Sequence, residues 1–140
     1  MSLTLSEALT HYRSVTDATH RYWGYFQLVA GGTAAFAWSE KNAIFELFLF
    51  LSIAFTVFAL LNGRLVISSQ GEAVDTVQCI RNFASSATSA IPSELAPLIE
   101  GISSDSKTKI SIWYTGLSLA TLAAVWWRYS LLNNVCLAAG

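Results

Sequence analysis

The sequence predicts an all-α, polytopic membrane protein with three transmembrane helices. Its N-terminus is expected in the cytoplasm and its C-terminus outside. A long N-terminal helix continues into the first span, and a short helical loop joins the second span to the third. Three observations predict this. Charged residues make up 12% of the 140 residues, about half the ~25% usual for a soluble domain. Apolar residues gather in three blocks, Tyr22–Trp38, Ala43–Leu61 and Ile110–Trp127, of 17, 19 and 18 residues, and these contain zero, one and zero charges. A hydrocarbon core of ~30 Å needs about 20 helical residues, with ~17 near the lower limit. Finally, Trp23, Trp38, Trp113, Trp126 and Trp127 all lie near block ends, where an indole keeps its ring in lipid and its N–H wet.

The N-terminal segment, residues 1–21, reads as a helix from residue 4. Thr4 or Ser6 can cap it, Glu7 falls in its first turn, and Leu5, Leu9, Tyr12, Val15 and Thr19 keep helical spacing. No Gly or Pro interrupts Ser6–Tyr22, so a rod reaching ~25 Å from the membrane should run straight into span one, residues 22–38. The short linker Ser39–Asn42 predicts a hairpin between spans one and two. Span two, residues 43–61, is expected to stop at Asn62-Gly63, a C-terminal cap signal. In the loop 64–109, Ala73, Val74, Val77, Ile80, Phe83, Ala84 and Ala87 predict an amphipathic helix over 72–87. Ser93–Gly101 is a shorter helical candidate, and Ser103–Thr108 a polar linker into span three, residues 110–127. The tail 128–140 is expected along the outer interface with Arg128 at its start. The rivals are one long helix from Ile110 to Ala139, or an Arg128 drawn into the bilayer by the apolar tail Leu131–Ala139 at a cost of ~2.5–3.5 kcal/mol at mid-membrane. The whole forms one domain.

Orientation follows from Lys and Arg. Arg13, Arg21, Arg64, Arg81, Lys107 and Lys109 fall on one side, Lys41 and Arg128 on the other. The richer side is the cytoplasm, in a bacterial inner membrane. Cys79 and Cys136 then lie on opposite sides and cannot pair within a chain. The polar first twenty residues predict no cleavable signal.

Lipid gives helices no hydrophobic reason to associate, so small residues mark close-packed faces. Gly116, Ala120 and Ala124 recur at four-residue spacing in span three. Gly24, Gly31 and Ala35 lie in span one, and Ser52, Thr56, Ala59 and Gly63 form a stripe in span two. Packing within the chain is the plain use of such faces, but every span has one, which leaves surface for neighbouring subunits. Glu46 is the one carboxylate within a span, with Asn42 a turn before it. It reads either as an interfacial acid favoured by a helix N-terminus or as part of a carboxylate ring at a cation pathway. Gln27 needs a partner: a hydroxyl such as Ser52, Thr56 or Ser118, or water in a lumen. Glu46, Gln27, Ser52 and Thr56 are therefore the candidate pore-lining residues.

Motifs for catalysis are not found. His11 and His20 lie nine apart, Asp17 and His20 make at most an i,i+3 pair, and the sequence offers no metal cluster. It lacks a phosphate loop and a nucleophile elbow. The Arg13-x6-His20 spacing occurs in some RNA-cleaving helical domains but arises easily on a juxtamembrane helix. The expectation is a protein that is not an enzyme and takes no cofactor.

The run His11-Tyr12-Arg13-Ser14 to Arg21-Tyr22-Trp23-Gly24-Tyr25-Phe26 resembles the start of small bacterial inner-membrane proteins in which a polar helix enters the membrane at Trp-x-x-Phe. The layout of short spans with a small cytosolic layer is similar to membrane effectors of bacterial phage defence, including the Hailong-type channel partner. That resemblance implies a gated, homo-oligomeric pore that depolarises the membrane. Three spans leave no room for a lumen inside one chain, so conduction needs a cyclic homo-oligomer. Arg64, Arg81, Lys107 and Lys109 are then the candidate contacts for an anionic nucleotide or oligonucleotide regulator. The alternative is a non-conducting accessory subunit whose small faces serve another protein.

Overall fold

A computed structural model describes residues 5–86 and 96–138. They form four helices: α1 (Leu5–Ser39), α2 (Phe45–Ser86), α3 (Ala96–Gly101) and α4 (Lys107–Ala138). The described residues include no strand. At 1.5 Å per residue, the long helices run about 52, 63 and 48 Å. Residues 40–44 turn α1 back as α2, so the two are antiparallel, and α4 packs against both, running parallel to α1.

Two apolar clusters hold the three helices. At the middle, Phe26, Phe55, Ala59, Val66 and Tyr114 interlock, with the Phe26 and Tyr114 ring centres 4.4 Å apart and Trp23 edge-on to Tyr114 at 5.6 Å. Near the hairpin end, Ala37, Phe48, Val125 and Leu132 form the second cluster, ringed by Phe45, Trp126 and Tyr129. At the opposite end α2 buries Ser69, Gln70, Ala73, Val77 and Ile80, and Val15, Thr19 and Ile99 are buried on the helices packed beside it.

Several expected boundaries change. The α2 helix does not stop at Asn62-Gly63 but runs unbroken to Ser86, absorbing the amphipathic segment expected over 72–87, as far as residue 86, as its continuation. The cap signal misleads because neither residue acts as a cap. No glycine among the described residues has positive φ, and the Asn62 amide is engaged across helices. Gly63 instead admits Tyr114: a Cβ at that position would stand 2.9 Å from Tyr114 Cε1. The tail also differs. Residues 128–138 continue α4 as helix, the rival arrangement, and Arg128 lies at the hairpin level. Ser6 sits inside α1, not ahead of it. The candidate helix Ser93–Gly101 is found as Ala96–Gly101; residues 93–95, Thr4 and Ala87 lie outside the described residues. The continuity of α1 from the N-terminal segment through Trp38 is as expected.

Two helices contain stretches long and apolar enough to cross a membrane, Phe45–Ser85 and Lys107–Val135. In the most apolar window of each, only 28% and 11% of the residues are buried in the chain, whereas a soluble core helix would be mostly covered. Leu28, Phe50, Leu60, Ile112, Leu119 and Trp127 are 61–73% exposed. The α1 helix is less apolar, because Tyr22–Trp38 interleaves Gly, Trp, Tyr and Gln27 with its aliphatic residues.

Candidate functional site

Two sets of buried polar side chains satisfy one another across helices. Asn62, buried on α2, donates from Nδ2 to the Tyr22 carbonyl of α1 (3.1 Å) and to the Tyr114 hydroxyl of α4 (3.2 Å). The Tyr114 hydroxyl donates to the Ala59 carbonyl at 3.0 Å. One carboxamide thus ties three helices together. A second buried pair joins Thr19 Oγ1 to Ser69 Oγ at 2.8 Å.

The linker 102–106 is fixed from three sides. Gln70 Nε2 donates to Ser104 Oγ and to the Asp105 carbonyl, both at 2.7 Å. Tyr12 and Arg81 donate to the carbonyls of Ser103 and Ile102 at 3.1 and 2.8 Å. At the other end, Arg128 Nη2 donates to the Glu40 carbonyl at 2.7 Å, and its guanidinium lies 5.6 Å from the Trp38 ring centre. A cation there meets the negative end of the α1 dipole. Beyond an Asn in an apolar run, these long-range ties leave no mark in the sequence.

Of the candidate pore-lining residues, Ser52 is buried inside the bundle and donates to its own helix at the Phe48 carbonyl (2.8 Å). Thr56 is exposed and donates to the Ser52 carbonyl at 2.7 Å. Ser118 bonds back to the Tyr114 carbonyl. The hydroxyls expected to serve Gln27 therefore turn to backbone. Gln27 is exposed on α1 with no hydrogen-bond partner among the described residues. Glu46 is exposed in the first turn of α2. It is rotated about 80° around that helix from Thr56, so the two do not share a line.

The small residues face two ways. Ala59 and Gly63 are buried, Gly63 against Tyr114. By contrast, a Cβ at Gly24, Gly31 or Gly116 would meet nothing within 4 Å; Ala120 is exposed and Ala124 half-buried. These faces are not used within the chain. Between α2 and α4 lies a mostly apolar groove of about 310 Å³, lined by Ala59, Gly63, Tyr114 and Leu122 and also by Thr56 and Arg64.

The four basic candidates do not converge. Arg64 and Arg81 stand about 25 Å apart along α2. Arg81 is committed to the linker, Lys109 pairs with Asp105 at 2.7 Å, and Lys107 lies over Gly71. His11, Arg13 and His20 are exposed. Among the described residues no three His, Cys, Asp or Glu side chains gather as a metal site. Cys79 is free and exposed.

The fold defines an all-helical chain with two helices fit to cross a membrane. Compared with known protein families, curated proteins and solved structures, the chain matches none.

Proposed function

We propose that the chain is a three-span protein of the bacterial inner membrane that assembles into a cyclic homo-oligomer and conducts ions along the axis between copies. Support for the third span comes from registry. Charge-free stretches run from Arg21 to Glu40 on α1, from Glu46 to Arg64 on α2, and from Lys109 to Arg128 on α4. The Asn62 bonds bring Tyr22 and Tyr114 to one level, and Arg128 meets Glu40 at the other. The three stretches thus stack into one belt about 26 Å tall, close to a hydrocarbon core. Without α1, the belt would cover only part of the bundle.

The observation that carries conduction is Gln27. It is an unpartnered carboxamide pointing out of the belt on α1, flanked by open glycines, while the interior of the bundle is filled with side chains. An amide in lipid is costly without a partner, and a polar axis between copies, where the carboxamides of neighbouring subunits and water meet, supplies one. Similarity to membrane-depolarising effectors adds a role for the end of the bundle around α3 as the receiver of a signal.

Native mass spectrometry of the purified chain, followed by ion flux from liposomes, tests the reading. A closed ring of at least four copies (the fewest helices that leave a lumen) with measurable flux is expected. Glu46→Gln should lower cation preference at low salt if that acid rings a mouth. A monomer without flux overturns the proposal and returns the chain to the accessory role.

A further inference from the structure

We infer that copies of the chain meet along α1, with Arg13 of one copy paired to Asp17 of the partner subunit and the Gln27 amides joined across the seam. This rests on the homo-oligomeric reading and specifies which face makes it. The geometry begins with spacing. Arg13, Asp17, His20, Gly24, Gln27 and Gly31 follow one another at steps of four and three, and all are exposed. The six positions cover 18 residues in five steps, the 3.6-residue period that keeps them on one straight, exposed face of α1. The line is continuous for about 27 Å, from the polar N-terminal part of α1 into the belt.

What the line offers differs along its length. Inside the belt, Gly24 and Gly31 leave open space where a Cβ would stand, so two backbones can approach closely, and Gln27 lies between them. Carboxamides at that depth hydrogen-bond to each other across helices. Below the belt, Arg13 and Asp17 are exposed and make no ion pair among the described residues. In a cyclic assembly about the membrane normal, all α1 helices run parallel, and like residues meet at like heights. Asp17 of the partner subunit then stands one turn from Arg13, about 6 Å along the axis, within reach of a guanidinium. Opposite charges at that step favour the parallel register; like charges would oppose it. The second copy is thus the occupant that matches both halves of the face.

The test uses the full chain in nanodiscs at low salt, with subunit number read by native mass spectrometry. Arg13→Asp and Asp17→Arg each place like charges at the seam and should weaken assembly about fivefold per contact, whereas the double exchange should restore it. Gln27→Leu should weaken assembly about threefold to thirtyfold. In a Cys79→Ser, Cys136→Ser background, Gly31→Cys should cross-link between copies and Phe36→Cys, on another exposed face of α1, should not. Rings that survive both single reversals and cross-link through Phe36→Cys alone overturn this inference and leave the homo-oligomer intact. A wild-type chain that stays monomeric overturns both.

Discussion

The Asn62–Tyr114 node makes a prediction that depends on its geometry alone. Asn62→Leu keeps the volume roughly constant but removes two hydrogen bonds, to the Tyr22 carbonyl and to the Tyr114 hydroxyl. Side-chain hydrogen bonds between membrane helices average about 0.6 kcal/mol and reach about 1.7, so the variant should lose about 1–3 kcal/mol. Tyr114→Phe also removes two bonds, the one from Asn62 and the one to the Ala59 carbonyl, and should cost a similar amount. The double variant removes three bonds, not four, because one is shared. The cycle should therefore show a coupling of about 0.6–1.7 kcal/mol, the value of that shared bond. Reversible unfolding in bicelles reads it through tryptophan fluorescence, since Trp23 packs on the Tyr114 ring at 5.6 Å. Gly63→Leu is the steric control: its Cβ would press on a buried ring, costing about 1–3 kcal/mol through overpacking. Strict additivity of Asn62→Leu and Tyr114→Phe, or a neutral Asn62→Leu, would refute the node as the tie between α1, α2 and α4.

Two further outcomes follow from the ends of the bundle. Arg128→Ala removes the bond to the Glu40 carbonyl and the stacking on Trp38, and the same unfolding assay should show a loss of about 1–2 kcal/mol, with Arg128→Lys recovering part of it; a neutral alanine variant would dismiss the cap. Gln70→Ala frees Ser104 and the Asp105 carbonyl, so hydrogen exchange should rise about tenfold at the Lys109 and Ile110 amides, which bond to Ser106, the equivalent of ~1.4 kcal/mol, and stay unchanged over 117–125. A uniform rise along α4 would mean that Gln70 stabilises the whole bundle and not the linker.

How far these features were legible in the sequence depends on the range of the force that makes them. The apolar stretches of α2 and α4 are local composition, and hydropathy finds them directly. The α1 helix was legible as a continuous rod because no Gly or Pro breaks Ser6–Tyr22. Helix ends were not legible where a residue had two possible uses. Asn62-Gly63 matches a cap, yet the Asn amide finds better partners 40 and 52 residues away, and the Gly makes room for a ring on another helix. Arg128 likewise divides the chain by its charge but not its backbone. Its long side chain reaches the Glu40 carbonyl while α4 continues past it for ten residues.

The candidate site shows the same division in reverse. Ser52 and Gln27 are both polar residues in apolar runs, and the sequence treats them alike. Packing separates them: Ser52 turns inward and bonds to its own helix, whereas Gln27 turns outward beside glycines whose missing side chains nothing in the chain fills. A hydroxyl can always return to the backbone carbonyl four residues before it, so Ser52 and Thr56 have no need of a lumen or a neighbour. A glutamine amide has two donors and an acceptor, more than its own helix can satisfy. Of the four residues first marked for a pathway, Gln27 and Glu46 are therefore the ones that find no hydrogen-bond partner among the described residues, and Gln27 lies on α1, the least apolar of the three long helices.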